Sequence, residues 1–410
     1  MMANANWTTT SISDATAKIM DYRGRTPKKL GMDWGNGYIP AISARNVRMG
    51  KVDFDEEFYV ASDSLYRRWM TQGDMEQGDT LITTEAPLGN VAAVPDARRY
   101  ILSQRTVLLR PKSDLFDKDF FTQALQAPVF QSLLNQNSSG STALGIQRKK
   151  LEQLRIPTPP LKEQRRIASA IRGADDLIAT LERLIVKKQA IKQGMMQQLL
   201  SGRTRLPGFA DEWRQSTVGQ EFDVQLGKRL DAAVNRGALK TCINNRGVRW
   251  GRIMLSEAIE APLTDADIQT LKLESGDVLM CEGGEIGRSA VWRGELPEAY
   301  FLNTLHRLRS NGDLDPYLLV AYFQRWVETG ELSAVVGKAT LAHLTKENLV
   351  RIPVPMPGRD EQVGIAAILK DADKELGMLG SRLSKARAMK TGMMQQLLTG
   401  RTRLPVDATP

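Results

Sequence analysis

The strongest pattern along the chain is a long stripe of apolar positions that occurs twice. Between residues 161 and 200 there is no proline, and from Ile167 to Ile185 apolar residues recur at alternating steps of four and three. The first stripe consists of Ile167, Ile171, Ala174, Ile178, Leu181, Ile185, Ile191, Met195 and Leu199. The second consists of Ile365, Leu369, Ala372, Leu376, Leu379, Leu383, Ala386, Met389, Met393 and Leu397. A mean spacing of about 3.5 residues predicts two long helices that pack along their length.

Prolines and glycines mark the ends of both helices. Prolines precede the stripes at positions 157, 159 and 160 and again at 353, 355 and 357, where they favour a helix start. Gly202 and Gly400 follow the last apolar turns, where a helix C-cap is expected. Two such helices can bury their seams against each other, so we expect an antiparallel coiled coil with a pseudo-two-fold axis. The alternative is that each amphipathic helix lies on its own domain.

The helices belong to a duplicated unit. Residues 194–207 read GMMQQLLSGRTRLP and residues 392–405 read GMMQQLLTGRTRLP, so these two repeat tails differ at a single position. Weaker matches continue upstream; for example, ISARNVRMG from Ile42 corresponds to INNRGVRWG from Ile243. The two copies extend over roughly 7–207 and 213–405. Nearly identical tails indicate one task done twice, whereas divergent bodies indicate related tasks on different targets.

Each body mixes short strand patterns with helical ones. In the first, TLITT, VAAVP and RTVLLRP are typical of strands, and residues 117–136 form an amphipathic helical pattern. The predicted fold class is therefore α+β, with two duplicated α/β domains separated by two long antiparallel helices. The predicted boundaries are 1–158 and 207–356 for the globular domains, and 159–206 and 357–410 for the helical regions.

Composition indicates which kinds of binding partner and cellular location suit the protein. Among 410 residues, basic side chains outnumber acidic ones to give a formal charge of +9, which fits a phosphate-binding surface but is also found in proteins that bind no nucleic acid. The two cysteines, Cys242 and Cys281, are too few for a disulfide framework. No apolar run reaches the roughly 20 residues needed to span a bilayer, and the first ten residues are too polar for a signal peptide, so a cytoplasmic location is expected.

The residues suggest no chemistry of the chain's own. The sequence contains neither a GxxxxGK[ST] phosphate loop nor the Asn/Asp-Pro-Pro-aromatic motif of an amino-methyltransferase. His306 and His343 have no spaced partners that resemble a metal site, and we expect His306 to be structural or to face DNA. We therefore expect a non-catalytic protein without a metal or cofactor.

The chain resembles the DNA-specificity subunits of Type I restriction-modification systems over nearly its whole length. The resemblance rests on IPTPPLKEQRRIASAI from Ile156, on IPVPMPGRDEQVGIAAI from Ile352 and on the linking segment GRTRLPGFADEW from Gly202. GRTP from Gly24 also resembles the family's Gly-x-Thr-Pro element, whereas the second body has GKRL from Gly227 at that place.

The resemblance implies two target-recognition domains, at 1–158 and 207–356, with a central and a distal helical spacer. Each domain would read one half of a bipartite, asymmetric site in double-stranded DNA. The helices would set the gap and dock two copies of a methyltransferase (modification) subunit, and restriction/translocase subunits would complete the full complex. The main alternative is a coiled-coil bridging adaptor that reads no sequence.

Candidate DNA-contacting residues follow from side-chain chemistry, since Arg and Lys bind phosphates or guanine edges and Asn suits adenine. In the first body they are Arg23, Arg25, Lys28, Lys29, Arg45, Asn46 and Arg48. In the second body they are Lys228, Arg229, Asn244, Asn245, Arg246 and Arg249. The loops 138–147 and 336–343 are further candidates. For any single residue the alternative is ordinary solvated surface.

The repeat tails supply the candidate partner-binding residues, because identical sequences are expected to meet the same partner twice. They are Met195, Gln197, Gln198, Met393, Gln395 and Gln396. The alternative is that the tails pack only against the root of the opposite helix or its domain.

Overall fold

A computed structural model describes residues 7–140, 144–230, 236–332 and 344–404. The chain divides into two compact units. The first unit comprises residues 1–182 together with 382–410, and the second comprises residues 183–381. Each boundary between units falls inside a long helix, so the tail of each repeat belongs to the unit that holds the body of the other repeat.

The first body alternates short strands and helices before its long helix. Its strands are β1 (Thr8–Ser11), β2 (Thr16–Asp21), β3 (Ile39–Ile42), β4 (Val47–Arg48), β5 (Lys51–Val52), β6 (Tyr59–Ala61), β7 (Thr80–Thr84), β8 (Leu88–Ala93), β9 (Ile101–Leu102), β10 (Thr106–Pro111) and β11 (Arg155–Thr158). Its helices are α1 (Ile12–Ala15), α2 (Asp63–Trp69), α3 (Lys118–Gln126), α4 (Pro128–Gln136), α5 (Arg148–Gln153) and the long α6 (Leu161–Leu199), with a 3-10 turn at Pro27–Leu30.

The second body repeats this order. Its strands are β12 (Arg214–Thr217), β13 (Phe222–Leu226), β14 (Ala238–Ile243), β15 (Val248–Arg249), β16 (Arg252–Ile253), β17 (Ile259–Leu263), β18 (Val278–Cys281), β19 (Ser289–Val291), β20 (Tyr300–Phe301), β21 (Leu305–Ser310) and β22 (Pro353–Met356). Its helices are α7 (Val218–Glu221), α8 (Asp265–Thr270), α9 (Pro316–Thr329), α10 (Lys346–Val350) and the long α11 (Arg359–Leu397), with a 3-10 turn at Leu255–Glu257.

Sheet topology confirms the duplication. The main sheets have the antiparallel orders β2-β10-β7-β8 and β13-β21-β18-β19. The smaller sheets β6-β3-β9 and β17-β14-β20 each contain one antiparallel and one parallel pairing. The predicted α+β class with duplicated domains and two long helices is confirmed, and TLITT forms the fully buried strand β7.

The same buried ion pair stabilises both main sheets. Arg110 on β10 binds the fully buried carboxylate of Asp79 through Nε at 2.9 Å and Nη2 at 2.6 Å. Arg309 on β21 binds Asp277 in the same way, at 2.8 Å through both nitrogens. Because a buried carboxylate needs a charged partner, this pair is retained where the surrounding residues have diverged.

The long helices pair antiparallel within each unit. In the first unit Asp175 binds Lys390 at 2.5 Å and Glu182 binds Arg387 at 2.6 Å. In the second unit Lys192 binds Asp373 at 2.5 Å and Lys188 binds Glu375 at 2.8 Å. As the residue number rises on one helix it falls on the other, which is the arrangement that the two seams predict.

The buried stripe departs from the predicted seam toward each helix end. The matched residues Ile191 and Met389 are 44% and 52% exposed. A stripe of period 3.5 drifts around a helix that has about 3.6 residues per turn, so a later position turns inward. Met196 and Met394 are accordingly the buried methionines of the two tails, at 1% and 8% exposure.

The repeat tails complete the hydrophobic cores. Met394, Leu397 and Leu398 join the core of the first unit that also contains residues of β7, β10 and α3. Met196, Leu199 and Leu200 join the equivalent core of the second unit. Each globular body is therefore packed against a helix end that belongs to the other repeat.

Candidate nucleic-acid interface

Several of the sequence-predicted residues lie together at one end of the main sheet in the first unit. A polar cleft of ≈ 660 Å³ is lined there by Asp21, Arg23, Thr84, Glu85, Ser139, Gly145, Ile146, Gln147 and Arg148. Adjoining grooves are lined by Arg25 and Lys29 on one side and by Lys28 with Trp34 and Tyr59 on another. We call this end, with its counterpart in the second unit, the loop end. It brings together segments that are far apart in sequence.

Arg23 is held firmly at the base of the cleft. Its guanidinium donates to Asp21 at 2.6–3.0 Å and to Thr84 Oγ1 at 3.2 Å. The hydrogen bond with Asp21 raises the pKa of Arg23 above its ordinary value, so the side chain stays a cation. Arg25 stacks over Tyr22 at 4.9 Å and donates to the carbonyl of Trp69. Arg23 thus lines the cleft and Arg25 lines the adjoining groove from fixed positions, and Asp21 balances the charge of Arg23.

The lysines of the same loop are more open. Lys28 and Lys29 are exposed on the 3-10 turn, which Thr26 caps at the backbone N–H of Lys29. Lys29 Nζ donates to the carbonyl of Gly24 at 2.6 Å, which closes the Gly24 turn. Lys28 is therefore the better placed of the two to reach a phosphate.

The segment 43–48 contains one structural and two surface residues. Asn46 is 1% exposed; its Oδ1 accepts from Ser43 N at 3.2 Å, and its Nδ2 donates to the Glu57 carbonyl at 3.3 Å. Arg45 pairs with Glu57 at 2.9 Å across an exposed surface, and Arg48 pairs with Glu56. The amide of Asn46 is thus occupied in holding a turn.

In the second unit an asparagine does the same work from a different position. Asn244 Oδ1 accepts from the backbone N–H groups of Arg246 at 2.9 Å and Gly247 at 3.2 Å, and Nδ2 donates to the Glu257 carbonyl at 3.1 Å. Lys228, at the matched start of the body, pairs with Asp267 and is only 15% exposed. Both units therefore have this turn, but Asn46 stabilises it in the first unit and Asn244, at a different position, stabilises it in the second.

The remaining candidates of the second body lie at or near its surface. Arg229, Arg246 and Arg249 are exposed, and Asn245 is half-buried. Asn245 N donates to Thr304 Oγ1 at 3.2 Å, while its carbonyl accepts from Arg288 Nη2 at 2.8 Å. These contacts bring segment 244–247 beside the turns that precede β19 and β21, so a loop end forms here as well.

Some loop-end residues were missed by the sequence predictions. Arg105 has a left-handed backbone (φ +62°) and faces Glu85 at 3.5 Å; Arg148 opens α5 in the same cleft. In the second unit the missed residues are Arg288 and Thr304. The RKK run at 148–150 is the only sequence signal for any of them, since the others join the loop end through tertiary contacts. The loop 336–343 with His343, and residues 141–143, lie outside the described residues.

His306 is a core residue. It is fully buried, its Nε2 lies 2.8 Å from the Leu344 carbonyl, and burial lowers its pKa below the ordinary value. A neutral imidazole in that position ties the segment before α10 to β21. Of the two roles considered for His306, the contacts support the structural one.

The Glu-Gln pair at each helix root explains why the repeat tails are so similar. Trp7 Nε1 donates to Glu163 at 3.1 Å, and Arg403 donates to the same carboxylate at 2.8 Å while lying over the Trp7 ring. The arrangement of a tryptophan and a tail arginine on the carboxylate of a helix root is here called the clasp. An arginine suits this position because its guanidinium has several N–H donors and can share one carboxylate with an indole.

The second unit contains the same clasp. Glu361 is 1% exposed and accepts from Arg205 Nε and Nη2 at 2.8 Å and from Trp213 Nε1 at 2.8 Å. The hydrogen bonds from Arg205 lower the pKa of Glu361, so it stays ionised. Gly202, with φ +70°, passes the Trp213 ring so closely that an added Cβ would lie 3.4 Å from it.

The glutamine of the pair fixes the root to the globular body. Gln164 accepts from Asp117 N at 2.9 Å and donates to the carbonyls of Pro159 at 2.7 Å and Leu115 at 2.9 Å. Gln362 repeats this with Asp315 N and the Pro357 carbonyl, each at 3.0 Å. A two-residue motif thus joins each helix root both to its own body and to a repeat tail.

The candidate partner-binding residues divide according to burial. Met195 and Met393 are partly buried against the cores, whereas Gln197 and Gln395 are exposed. Gln198 and Gln396 are also exposed, and each accepts a hydrogen bond from a tail threonine, Thr204 at 3.2 Å or Thr402 at 3.4 Å. Much of the tail identity is therefore accounted for by contacts inside each unit.

Among the described residues, no group of three or more His, Cys, Asp or Glu side chains is arranged to hold a metal ion. In the same part of the chain, no helix combines the length and the apolar character required to cross a bilayer.

Comparisons with known proteins agree with the duplication. A family model described as the Type I restriction modification DNA specificity domain matches residues 4–192 and again 212–381. The MjaVIII specificity subunit of Methanocaldococcus jannaschii is 22% identical over 419 residues, which cover 97% of this chain and 93% of that protein. The EcoBI specificity subunit of Escherichia coli is 29% identical over 107 residues, or 25% of this chain and 22% of its own.

Solved structures show the same fold at low identity. The S subunit of a Type I restriction-modification system from M. genitalium has a TM-score of 0.59 at 15% identity, covering 97% of this chain and 98% of its own. A chain from a study of complex assembly and conformational transition of the type I R-M system has a TM-score of 0.62 at 18% identity, covering 98% and 100%. Since the family model accounts for most of both repeats, this chain belongs to the Type I restriction-modification specificity subunits and carries two target-recognition domains.

Proposed function

We propose that each target-recognition domain reads one half of a bipartite, asymmetric DNA site through its loop end. The observation that carries this proposal is a contrast between framework and loops. The Arg110–Asp79 pair and the Gln164 contacts recur in the second unit as Arg309–Asp277 and Gln362. The loop ends differ at several matched positions, such as Arg25 against Lys228, Thr26 against Arg229 and Asn46 against Gly247, although Arg45 and Arg48 match Arg246 and Arg249. A conserved frame that carries different polar loops is what reading two different sequences requires.

The loop-end residues divide into two roles in this proposal. Residues fixed by internal contacts, such as Arg23, Asn46, Lys228 and Asn244, position the loops. Exposed residues such as Lys28 and Arg246 reach DNA, since a side chain must have unoccupied donors to bind a phosphate or a base edge. The net charge of +9 favours association with DNA, and its contribution falls as salt rises.

The long helices set the gap between the half-sites and dock two copies of a modification subunit, through which restriction/translocase subunits join the complex. Each long helix has 39 residues and is therefore about 58 Å long, more than one turn of DNA at roughly 34–36 Å. The matched exposed residues Ile191 and Met389, together with Gln197 and Gln395, offer the same surface twice. Two equal surfaces suit two copies of one partner. The chain itself contributes recognition and assembly, and catalysis belongs to the partners.

The second candidate function is a bridging adaptor that reads no sequence. The matched surfaces on the two helices favour it as much as they favour the specificity role. The adaptor hypothesis differs from the specificity hypothesis because it assigns no function to the differences between the two loop ends. A test must therefore detect sequence reading as well as complex formation.

The experiment is to co-express the chain with its candidate methyltransferase subunit and to map methylation on a random DNA library. The expected result is a complex with two methyltransferase subunits per chain and a split motif with a fixed gap, which disappears when this chain is omitted. A complex that forms but methylates no motif would establish the adaptor instead. No complex at all would contradict both.

A single substitution tests the loop-end assignment within the same assay. Arg246→Ala removes an exposed guanidinium and should relax the motif at one position of one half-site, at a cost of about 1–3 kcal/mol in discrimination. Lys187→Ala, on the exposed side of α6, is the matched control and should leave the motif unchanged. If Arg246→Ala weakens methylation of all sequences equally, Arg246 binds phosphate and does not read a base.

A further inference from the structure

A groove of ≈ 770 Å³ lies in the second unit, away from the loop end. It is lined by Gly276 before β18 and by Arg293 after β19, whereas the loop end is formed at the opposite ends of these two strands. Trp250 and Arg252 reach it from the β15–β16 hairpin, Tyr317 from α9 and Lys374 from α11. The groove is therefore distinct from the surface proposed to read DNA.

Part of the groove opens where the second repeat has smaller side chains than the first. Lys118 and Gln123 of α3 correspond to Pro316 and Ala321 of α9, whereas Asp119 corresponds to the larger Tyr317, which lines the groove. In the first unit a Cβ added at Gly78 would meet Lys118 Cδ at 3.1 Å, and Gln123 Nε2 donates to the Ala168 carbonyl at 3.2 Å.

In the second unit this space is not filled. A Cβ added at Gly276, which matches Gly78, would meet no atom within 4 Å. Ala321 has no side-chain amide to reach the long helix as Gln123 does. The space beside Gly276 is thus open in the second unit, whereas Lys118 fills the matched space in the first.

The charge around the groove is also specific to the second repeat. Its lining contains five cationic side chains and two carboxylates. Lys192 pairs with Asp373 and Lys370 pairs with Asp315, at 2.5 and 3.9 Å. The three cations that form no ion pair with any residue in the described part of the chain are Arg252, Arg293 and Lys374.

The matched positions of the first repeat carry no such excess. They hold four cations (Lys51, Lys118, Arg172 and Lys390) and four carboxylates (Asp117, Asp119, Asp175 and Asp176). Arg293 corresponds to Pro95 and Lys374 to Asp176. Positive charge has therefore accumulated where the space has opened.

An apolar wall faces these cations. It consists of the partly buried Trp250 with Val291, Val320 and Ala321. A planar ring can stack on an indole, and Arg and Lys bind phosphate oxygens through charge-assisted hydrogen bonds. The volume lies within the range of about 300–1,000 Å³ that is usual for small-ligand sites.

We propose that this groove binds one nucleotide per chain, with the base against Trp250 and the phosphate at Arg252, Arg293 and Lys374. The same chemistry is offered by a free mononucleotide and by the phosphorylated end of a single strand. Both ligands contain an aromatic base and a terminal phosphate group, whereas inorganic phosphate offers the anion without a base.

Calorimetric titration of the full chain with dAMP tests the proposal. The expected result is one saturable site per chain, with inorganic phosphate bound at least tenfold more weakly. Arg293→Ala should weaken dAMP binding at least tenfold, and Ala321→Gln should do so by placing the first repeat's glutamine in the groove. Lys51→Ala, the first-unit counterpart of an Arg252 change, should leave affinity unchanged, and equal thermal midpoints would show that all variants fold.

A 5′-phosphorylated single-stranded oligonucleotide distinguishes the two sources. If it binds and dAMP does not, and if Arg293→Ala weakens it tenfold, the ligand is a strand end. The proposal is overturned if neither ligand binds, if binding is insensitive to both Arg293→Ala and Ala321→Gln, or if two equal sites appear per chain. Equal affinity for phosphate and dAMP would overturn the stacking role of Trp250.

Discussion

Replacing Gln164 with alanine should destabilise the first unit more than its size suggests. The side chain is fully buried and makes three hydrogen bonds, to Asp117 N–H and to the carbonyls of Leu115 and Pro159. Each such bond contributes a net 0.5–1.5 kcal/mol or so, and the backbone groups left behind remain buried without a partner. The expected loss is about 2–4 kcal/mol, a large share of the 5–15 kcal/mol or so that is usual for a domain.

Hydrogen exchange of the full chain, measured by mass spectrometry, can assign this loss to one unit. Peptides from residues 7–140 and 382–404 should lose protection in Gln164→Ala, while peptides from residues 236–332 should not. Gln362→Ala should produce the reverse pattern. Gln197→Ala, a change of the same type at an exposed position, should alter stability by less than about 0.5 kcal/mol.

Two results would refute this reasoning. One is a loss for Gln164→Ala no larger than that for Gln197→Ala, which would mean that the three hydrogen bonds are replaced by water without cost. The other is an equal loss of protection across both units, which would mean that the helix root does not act on its own body.

Two further predictions concern the clasp. The hydrogen bonds from Arg205 lower the pKa of Glu361 below its ordinary 4.5, so the contribution of Glu361 to stability is complete above pH 4.5 and is lost as pH falls through the lowered value. The urea midpoint of the second unit should therefore decrease below pH 4.5. A Glu361→Gln variant with an equally steep decrease would contradict this prediction. Gly400 has φ +68°, and a Cβ there would lie 3.2 Å from Trp7, so Gly400→Ala should lower the free energy of unfolding by about 1–2 kcal/mol. Gly173 lies inside α6 with open space around it, so Gly173→Ala should raise the free energy of unfolding by about 0.5–1 kcal/mol. Thermal midpoints that move in the same direction for both variants would show that neither backbone conformation nor space controls stability at these sites.

The long-range periodicity of the chain was enough to predict its two long helices. Their seams extend over many turns, so the average signal is strong, and strand TLITT was predicted by the same logic of burial. One prediction that failed is the single helix over residues 117–136, which forms α3 (Lys118–Gln126) and α4 (Pro128–Gln136) because Pro128 begins a second helix. Another is the inward residue near the ends of the long helices, where Met196 replaces Met195. That shift depends on the small difference between a period of 3.5 and one of 3.6, which a pattern of apolar letters does not resolve.

The roles of polar residues were harder to predict. The near-identity of the two tails predicted that both make the same contacts. Only the three-dimensional path of the chain shows that Arg403 donates to Glu163, which also accepts from Trp7. Asn46 and Asn244 suit adenine by chemistry, yet each amide holds a turn. Side-chain chemistry states what a residue can bind, whereas its neighbours decide whether its donors are still available. That these loops contact DNA stays a prediction.

The composition of the two units also sets an order of events during synthesis. The second unit consists of one continuous stretch, 183–381, whereas the first needs residues 382–404, which follow that stretch. The ribosome therefore releases all of the second unit before the first body receives Met394, Leu397 and Leu398. Although the first body is made first, it is finished last. Its apolar surface must stay uncovered, or be shielded by a chaperone, for most of the time that translation takes.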